Sequence, residues 1–171
     1  MVTQNLSFDK YFWGERYFCR TFVVCRTKLN FKATTMNYWL VKSEPFKYSW
    51  DDFVKQGVGT WDGVRNYQAR NNLNAMKLND LVLFYHSNEG VEVVGIAKIH
   101  KEAYPDPTTD DARWVVVDMI PVEKLPQSVS LKAIKADERL QDISLIRQSR
   151  LSVQQLKKEE FDIIISKGYG H

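Results

Sequence analysis

The stretch Asp80-Leu81-Val82-Leu83-Phe84-Tyr85-His86 is nearly unbroken in apolar character, closes on the cluster Ser87-Asn88-Glu89-Gly90, and gives way to a second apolar run from Val91 to Ile99. Two such runs across a turn cluster read as a β-hairpin, and the rest of the chain must pack around it. Tyr38 to Lys42 is another strand, ended by Ser43-Glu44-Pro45 because proline removes a ladder donor. Ser49 with Asp52 three residues on opens a helix whose apolar face holds Trp50, Phe53 and Val54 as far as Gly57. Gly57 to Gly63 reads as a loop that projects Trp61 from the surface, and Asn66 to Met76 as a helix with Leu73 and Met76 inward. Arg113 to Val122 supplies another strand, and Leu131 to Leu145 one or two short helices. Ser152 with Gln155 makes a capping box for a last helix that Gly168 stops. Strands with helices between and around them, without regular βαβ alternation, argue an α+β fold with a curved or barrel-like sheet in a single domain.

A chain of 171 residues suffices for one sizeable core, and no apolar run nears the roughly 20 residues needed to span a bilayer. Six of the 24 basic residues (Lys10, Arg16, Arg20, Arg26, Lys28, Lys32) and two of the 21 acidic ones (Asp9, Glu15) fall in residues 1–35, so the remainder carries a charge of about −1. Non-specific duplex binders carry a strong positive excess. Any nucleic-acid affinity here must come from a local patch and a pocket. Cys19 and Cys25 match no zinc spacing, and no feature demands an oxidising compartment. The N-terminal segment is broken by Arg16, Arg20 and Arg26, unlike a secretory signal. Residues 1–35 are therefore expected to be an accessory or artefactual extension and 36–171 the functional domain. The expected state is a cytoplasmic monomer, nuclear if the source is eukaryotic, with no membrane partner.

The chain contains no nucleophile elbow, phosphate loop, zincin pair or kinase set. His86 reads as a histidine satisfied at a strand end rather than an acid or base, and Glu44 with Asp62 would need a proximity that sequence does not fix. The cluster Asp106, Asp110 and Asp111 lies among prolines and reads as turn chemistry rather than a calcium loop. Val115 to Val117, Ile163 to Ile165 and Trp39 read as core. The expectation is a non-catalytic protein with no cofactor and no metal. Two other classes predict different behaviour. An enzyme acting on a nucleotide or base, through His86 or Glu44, would turn its ligand over; a small-molecule binder using the same cavity would take free nucleosides as well as oligonucleotides.

The run Trp61-Asp62-Gly63-Val64-Arg65-Asn66-Tyr67-Gln68-Ala69-Arg70-Asn71-Asn72 combines aromatic faces, arginine forks and amides, the groups that hold a planar heterocycle and its phosphates. Inspecting one base means removing it from its stack at a cost of about a few kcal/mol. Stacking recovers roughly 1–3 kcal/mol per base. Trp61, with Tyr67 or Tyr85, supplies aromatic walls in this reading. Asn66, Ser43 and Ser87 supply edge donors and acceptors, Val64 and Leu151 an apolar niche for a methyl group, and Lys42, Arg65, Arg70 and Arg150 grips for phosphate.

Four further motifs flank that run: Tyr38-Trp39-Leu40-Val41-Lys42-Ser43-Glu44-Pro45, Phe84-Tyr85-His86-Ser87, Ala103-Tyr104-Pro105-Asp106-Pro107 and Ser149-Arg150-Leu151-Ser152-Val153. In this order, from about Met36 onward, the sequence resembles the EVE domain family. The resemblance implies a PUA-like fold, a mixed β-barrel flanked by short helices, and a reader of modified bases related in fold to YTH and ASCH domains. It implies as partner a nucleic acid, DNA with modified cytosine first and modified RNA such as tRNA second. The positions matching the family pattern are Lys42-Ser43, Trp61 to Tyr67, Tyr85-His86-Ser87 and Arg150-Leu151-Ser152. Ser152 and Arg150 also have a competing reading as supports of a helix end.

Overall fold

The hairpin's first strand lacks polar alternation because both of its faces are covered. The computed structural model describes residues 36–170; Cys19, Cys25, the basic N-terminal segment and His171 lie outside them. In β3 (Leu81–His86) Val82 and Phe84 enter one apolar cluster, while Leu83 and Tyr85 enter another, as the two-residue period of a strand requires. β3 pairs in parallel with β1 (Tyr38–Ser43) and antiparallel with β4 (Glu92–Pro105). The long β5 (Val115–Ser130) follows β4, and the short β2 (Gly59–Trp61) and β6 (Val153–Leu156) lie at the ends, giving a six-stranded mixed sheet in the order β2-β5-β4-β3-β1-β6. Parallel pairing of β1 with β3 needs a long crossover. It holds α1 (Trp50–Gln56), β2 and α2 (Tyr67–Ala75).

The helices divide between the faces. Trp50 and Phe53 of α1 and Ala69 and Leu73 of α2 join Trp39, Val41, Trp61 and Phe84 in the first cluster. The second cluster takes Ile134 of α3 (Leu131–Lys135), Leu145 of α4 (Ser144–Arg147) and Phe161 and Ile164 of α5 (Lys158–Gly168), with Leu140 from a single 3-10 turn. At the base of the sheet the buried carboxylate of Asp80 accepts from the Trp39 indole N–H (2.9 Å) and from the backbone N–H groups of Asn37 and Lys77 (2.9 Å each). The buried tryptophan thereby keeps its donor satisfied.

The α+β reading holds, and the barrel is approached without being closed. Among the described residues no ladder joins β2 to β6. The sheet nevertheless wraps around its first cluster, because Trp61 on β2 packs edge-to-face on Phe84 of β3 at 5.7 Å although β5 and β4 lie between their strands. Breaks in register help it curve, one of them where Ile96 faces Glu123 but Ala97 faces Pro121. Helix α2 is tied to the far edge by a hydrogen bond from the Asn72 side-chain amide to the Val153 carbonyl at 2.7 Å.

Two local expectations are corrected. The Gly57–Gly63 segment is not all loop: Gly59 to Trp61 pairs with Val117 to Met119, and Trp61 is only 7 % exposed. Gly59 is needed there, since a Cβ would lie 2.5 Å from the Tyr48 hydroxyl and 2.9 Å from the Phe53 ring. Ser152 caps no helix, because Val153 to Leu156 pairs with β1 as strand β6. The last helix begins six residues later, where the Glu160 carboxylate accepts from the Lys157 backbone N–H at 2.8 Å. A four-residue polar pattern carries less weight than a vacant sheet edge. By contrast, the Ser49 capping box forms as expected, with Ser49 Oγ accepting from Asp52 N and Asp52 Oδ2 from Ser49 N, each at 3.1 Å. Among the described residues no helix is long and apolar enough to cross a membrane.

Candidate functional site

The opening of the sheet, where the end of β1 faces the end of β2, holds a cavity of about 580 Å³. Its lining grades from inside to outside. Ser43, Trp61 and Val64 are buried; Lys42, Glu44, Tyr48, Thr60 and Ser152 are half-buried; Lys47, Gln56, Asp62, Gly63 and Arg65 are exposed. The backbone sets this order. β1 runs out at Ser43, whose carbonyl accepts from Ser87 N (2.7 Å) and Ser87 Oγ (3.0 Å), while its hydroxyl donates to the Tyr48 carbonyl (2.5 Å). The 44–48 turn is closed by Lys47 N and Tyr48 N donating to the Glu44 carbonyl, 2.9 Å each. Opposite it, Gly63 takes φ +68° and turns the chain after Asp62 so that Val64 faces inward.

The polar groups divide into those already engaged and those with capacity left. Lys42 Nζ donates to the Ser149 carbonyl at 2.9 Å, and burial lowers its pKa. The Tyr48 hydroxyl donates to Gln56 Oε1 at 2.8 Å, and burial first, then the charge of Asp52, raises its pKa. The Gln56 Nε2 makes no hydrogen bond among the described residues. Glu44 pairs with Lys47 at 2.8 Å on the exposed side, leaving acceptor capacity on its carboxylate. Arg65 donates to the fully buried Asp106 carboxylate at 2.8 Å and to the Val64 carbonyl at 3.0 Å. Burial pushes the Asp106 carboxyl up, but hydrogen bonds from Thr108 and Arg65 together hold it below the usual range. No group of acids, histidines and cysteines among the described residues could hold a metal ion. The site is an amphipathic slot with aromatic and valine walls, hydroxyls and an amide for hydrogen bonds, and acids and bases at its mouth.

The EVE domain family profile matches residues 37–167. The chain belongs to the EVE domain family. Mouse thymocyte nuclear protein 1 is 42 % identical over 164 residues, covering 76 % of this chain and 73 % of the mouse protein. A solved protein from Agrobacterium tumefaciens is 49 % identical with a TM-score of 0.76, covering 77 % of this chain and 92 % of its own. Human THYN1, crystallised with DNA containing 5-methylcytosine, is 36 % identical with a TM-score of 0.72, covering 77 % of this chain and 97 % of its own. A yeast YTH domain from Zygosaccharomyces rouxii, at 14 % identity and a TM-score of 0.51, shares the fold.

In this EVE domain the cavity gathers Lys42, Ser43, Trp61, Val64, Arg65 and Ser152 from the expected set. The other expected residues lie elsewhere. Tyr85 points to the opposite face, into the second cluster. His86 accepts from the Trp50 backbone N–H at 3.1 Å and lines a smaller hollow with Asp51, Glu92 and Lys124. Ser87 is spent on the Ser43 carbonyl, and Leu151 is buried in the first cluster. Asn66 caps α2, its side-chain oxygen accepting from Ala69 N at 3.0 Å, and lines a shallow polar hollow with Gln68, Arg147 and Arg150. Tyr67 and Arg70 lie outside the cavity, stacked against Trp114 and against Tyr67 respectively. The cavity is also lined by Lys47, Tyr48, Gln56 and Thr60, which the sequence reading did not single out, and by Glu44 and Asp62, which it weighed only as an acid–base pair. Their signal was positional: most of them border the end of a strand or the capping box that follows it.

Proposed function

We propose that this domain captures one flipped, modified base from a nucleic-acid strand, a modified cytosine in DNA foremost, without catalysing a reaction on it. The observation that carries the reading is the cavity itself. Its volume lies within the range of about 300–1,000 Å³ usual for ligand sites, and it offers an apolar wall beside carboxylates. A carboxylate is the natural acceptor for the exocyclic amine of cytosine; Glu44 is placed for that role, and the Gln56 amide can donate to the carbonyl or ring nitrogen of the same edge. Half-buried Tyr48 offers more open ring surface for stacking than Trp61, which contributes the inner wall. A 5-methyl group against Val64 contributes about 0.8 kcal/mol, or about fourfold in affinity. Methyl burial alone therefore gives modest selectivity, and the polar edge must set base identity. Human THYN1 with its methylated DNA, a relative covered almost throughout, supports the same class of ligand. Lys42 at the mouth and Arg150 beside α2 are the proposed phosphate contacts.

The test is fluorescence anisotropy of the full chain against matched DNA and RNA oligonucleotides carrying cytosine, 5-methylcytosine, 5-hydroxymethylcytosine or thymine at one position. Tighter binding of the 5-methylcytosine DNA, with thymine rejected, is expected. Preference for the RNA series would reassign the polymer. Equal affinity for all four bases would refute base capture, and a mass change in the oligonucleotide would reveal an enzyme.

A further inference from the structure

Beside the cavity, and outside it, lies a second aromatic assembly. The rings of Tyr67 on α2 and Trp114 just before β5 are stacked at 5.3 Å with an interplanar angle of 28°. Two guanidinium groups cover them: Arg70 lies 5.1 Å from the centre of the Tyr67 ring and Arg65 5.5 Å from that of Trp114. Arg113 donates to the Tyr67 hydroxyl at 3.4 Å. The Tyr67 residue remains 55 % exposed in the middle of this arginine cluster.

The charge balance shows which cation has capacity to spare. Arg65 is neutralised by Asp106 and Arg113 by Asp111, at 2.8 and 2.7 Å. Arg70 has no carboxylate partner among the described residues, since its guanidinium hydrogen-bonds only the side-chain oxygen of Asn71 and covers the Tyr67 ring, so the three arginines and two aspartates keep one positive charge. A purely structural stack would bury its tyrosine and pair its arginines. Here the tyrosine is more than half exposed, and the one arginine without a carboxylate partner, Arg70, is half-buried against it. Arg65 belongs to the cavity wall as well as to the stack, which makes the two surfaces continuous.

We propose that the Tyr67–Trp114 stack, with Arg70 and Arg113, is a landing platform for the nucleotides adjoining the captured base. Arg70 swings off the Tyr67 ring and away from Asn71 to the phosphate between the cavity and a neighbouring base, and that base stacks on the ring surface Arg70 vacates. Aromatic stacking of this kind tolerates any sequence, so the platform adds affinity and strand direction while the cavity supplies base identity. The proposal rests on the reading of the cavity as a base-capture site, yet it fails independently of it.

The experiment uses the full chain and single-stranded oligonucleotides with one 5-methylcytosine and a 2-aminopurine placed one to three positions to its 5′ or 3′ side. In the wild type, 2-aminopurine fluorescence is expected to be quenched on one side only. Tyr67→Leu, which keeps an apolar group against Trp114, should abolish that quenching and weaken binding roughly tenfold, with selectivity for 5-methylcytosine over cytosine unchanged. Arg70→Gln should lower the slope of log affinity against log salt by about one. Unaltered quenching and affinity in Tyr67→Leu, with selectivity intact, would overturn the platform and leave base capture standing. A lower melting temperature in that variant with unaltered quenching below the melt would likewise assign the stack to stability alone. Quenching and its loss in an oligonucleotide bound without base selectivity would retain the platform and refute base capture.

Discussion

On the face covered by α1 and α2 the buried residues of the sheet and its helices include five large rings, Trp39, Trp50, Phe53, Trp61 and Phe84, and Phe84 meets Trp50, Phe53 and Trp61. On the face covered by α3 to α5 they are largely aliphatic, with Leu40, Leu83, Val93, Ile134, Leu140 and Ile164. Both faces are built from alternate residues of the same strands. Branched aliphatic side chains fill space in every direction and seal their face. On the other face Trp50 and Trp61 meet Phe84 edge-to-face at 76° and 84°, and Trp61 at the end of this assembly forms the inner wall of the cavity at the sheet's unclosed side. The lesson is a division of labour within a single sheet: one face bears the fold, and the other bears the fold and frames a site.

The largest expected effect comes from removing a ring on each face. Trp61→Ala and Phe161→Ala should each destabilise the domain by about 3–5 kcal/mol, since both leave cavities in packed clusters. Thermal melts would register both losses. Below the melts the two should part: Phe161→Ala keeps base-selective binding and Trp61→Ala loses it. Equal loss of selectivity would break the contrast between the faces. Next comes Arg65→Ala, which strands the buried Asp106 carboxylate and should cost about 1–3 kcal/mol, seen as a lower denaturation midpoint at pH 7. An unchanged midpoint would return Arg65 to a purely phosphate-facing role. The Asp106 pKa lies below the ordinary 3.8, so this group's contribution is present above that value and fades as pH falls through the folded-state value. Smaller again is Glu44→Gln. Its exposed pair with Lys47 is worth about 0–1 kcal/mol, so stability should hold while affinity for a cytosine-bearing oligonucleotide falls on the order of tenfold.

The hairpin, the first strand, the capping-box helix and the α+β class were legible because periodicity and cap chemistry are local. Three features were not. The strand Gly59 to Trp61 exists only because β5 offers it an edge, and glycine in a short segment looks like a loop until the Tyr48 hydroxyl is seen to need the room. Ser152 to Gln155 matched a helix cap, yet β1 had a free edge for it. The curl that brings Trp61 to Phe84 depends on register breaks along β4 and β5 that no pattern announces. At the site, the motif at Lys42-Ser43 and the Trp61 to Arg65 run meet in the cavity. Alternation carried Tyr85 to the other face, although it is a single residue from Phe84. Sequence proximity to a motif marks the neighbourhood of a site; the strand's period decides which residues enter it.

The smallest effect sharpens the contrast from the rim of the aromatic face. His86 Nε2 accepts from the Trp50 backbone N–H, a bond that requires an unprotonated nitrogen. Burial lowers its pKa below the ordinary 6.5, Glu92 and Asp51 pull it up, and Lys124 lowers it further, with a net downward shift. In the unfolded chain the ring takes a proton near 6.5; in the folded chain it resists until lower pH. His86 therefore contributes stability above pH 6.5 that is lost as the pH falls through the folded-state value. Denaturation midpoints measured from pH 7 to pH 5 should decline in the wild type and decline less in His86→Gln, whose amide oxygen can accept from Trp50 at every pH in that range. Equal slopes in the two proteins would place the pH sensitivity elsewhere. Selective binding by His86→Gln at pH 7 should match the wild type, because the ring anchors α1 behind the aromatic cluster and stands outside the cavity.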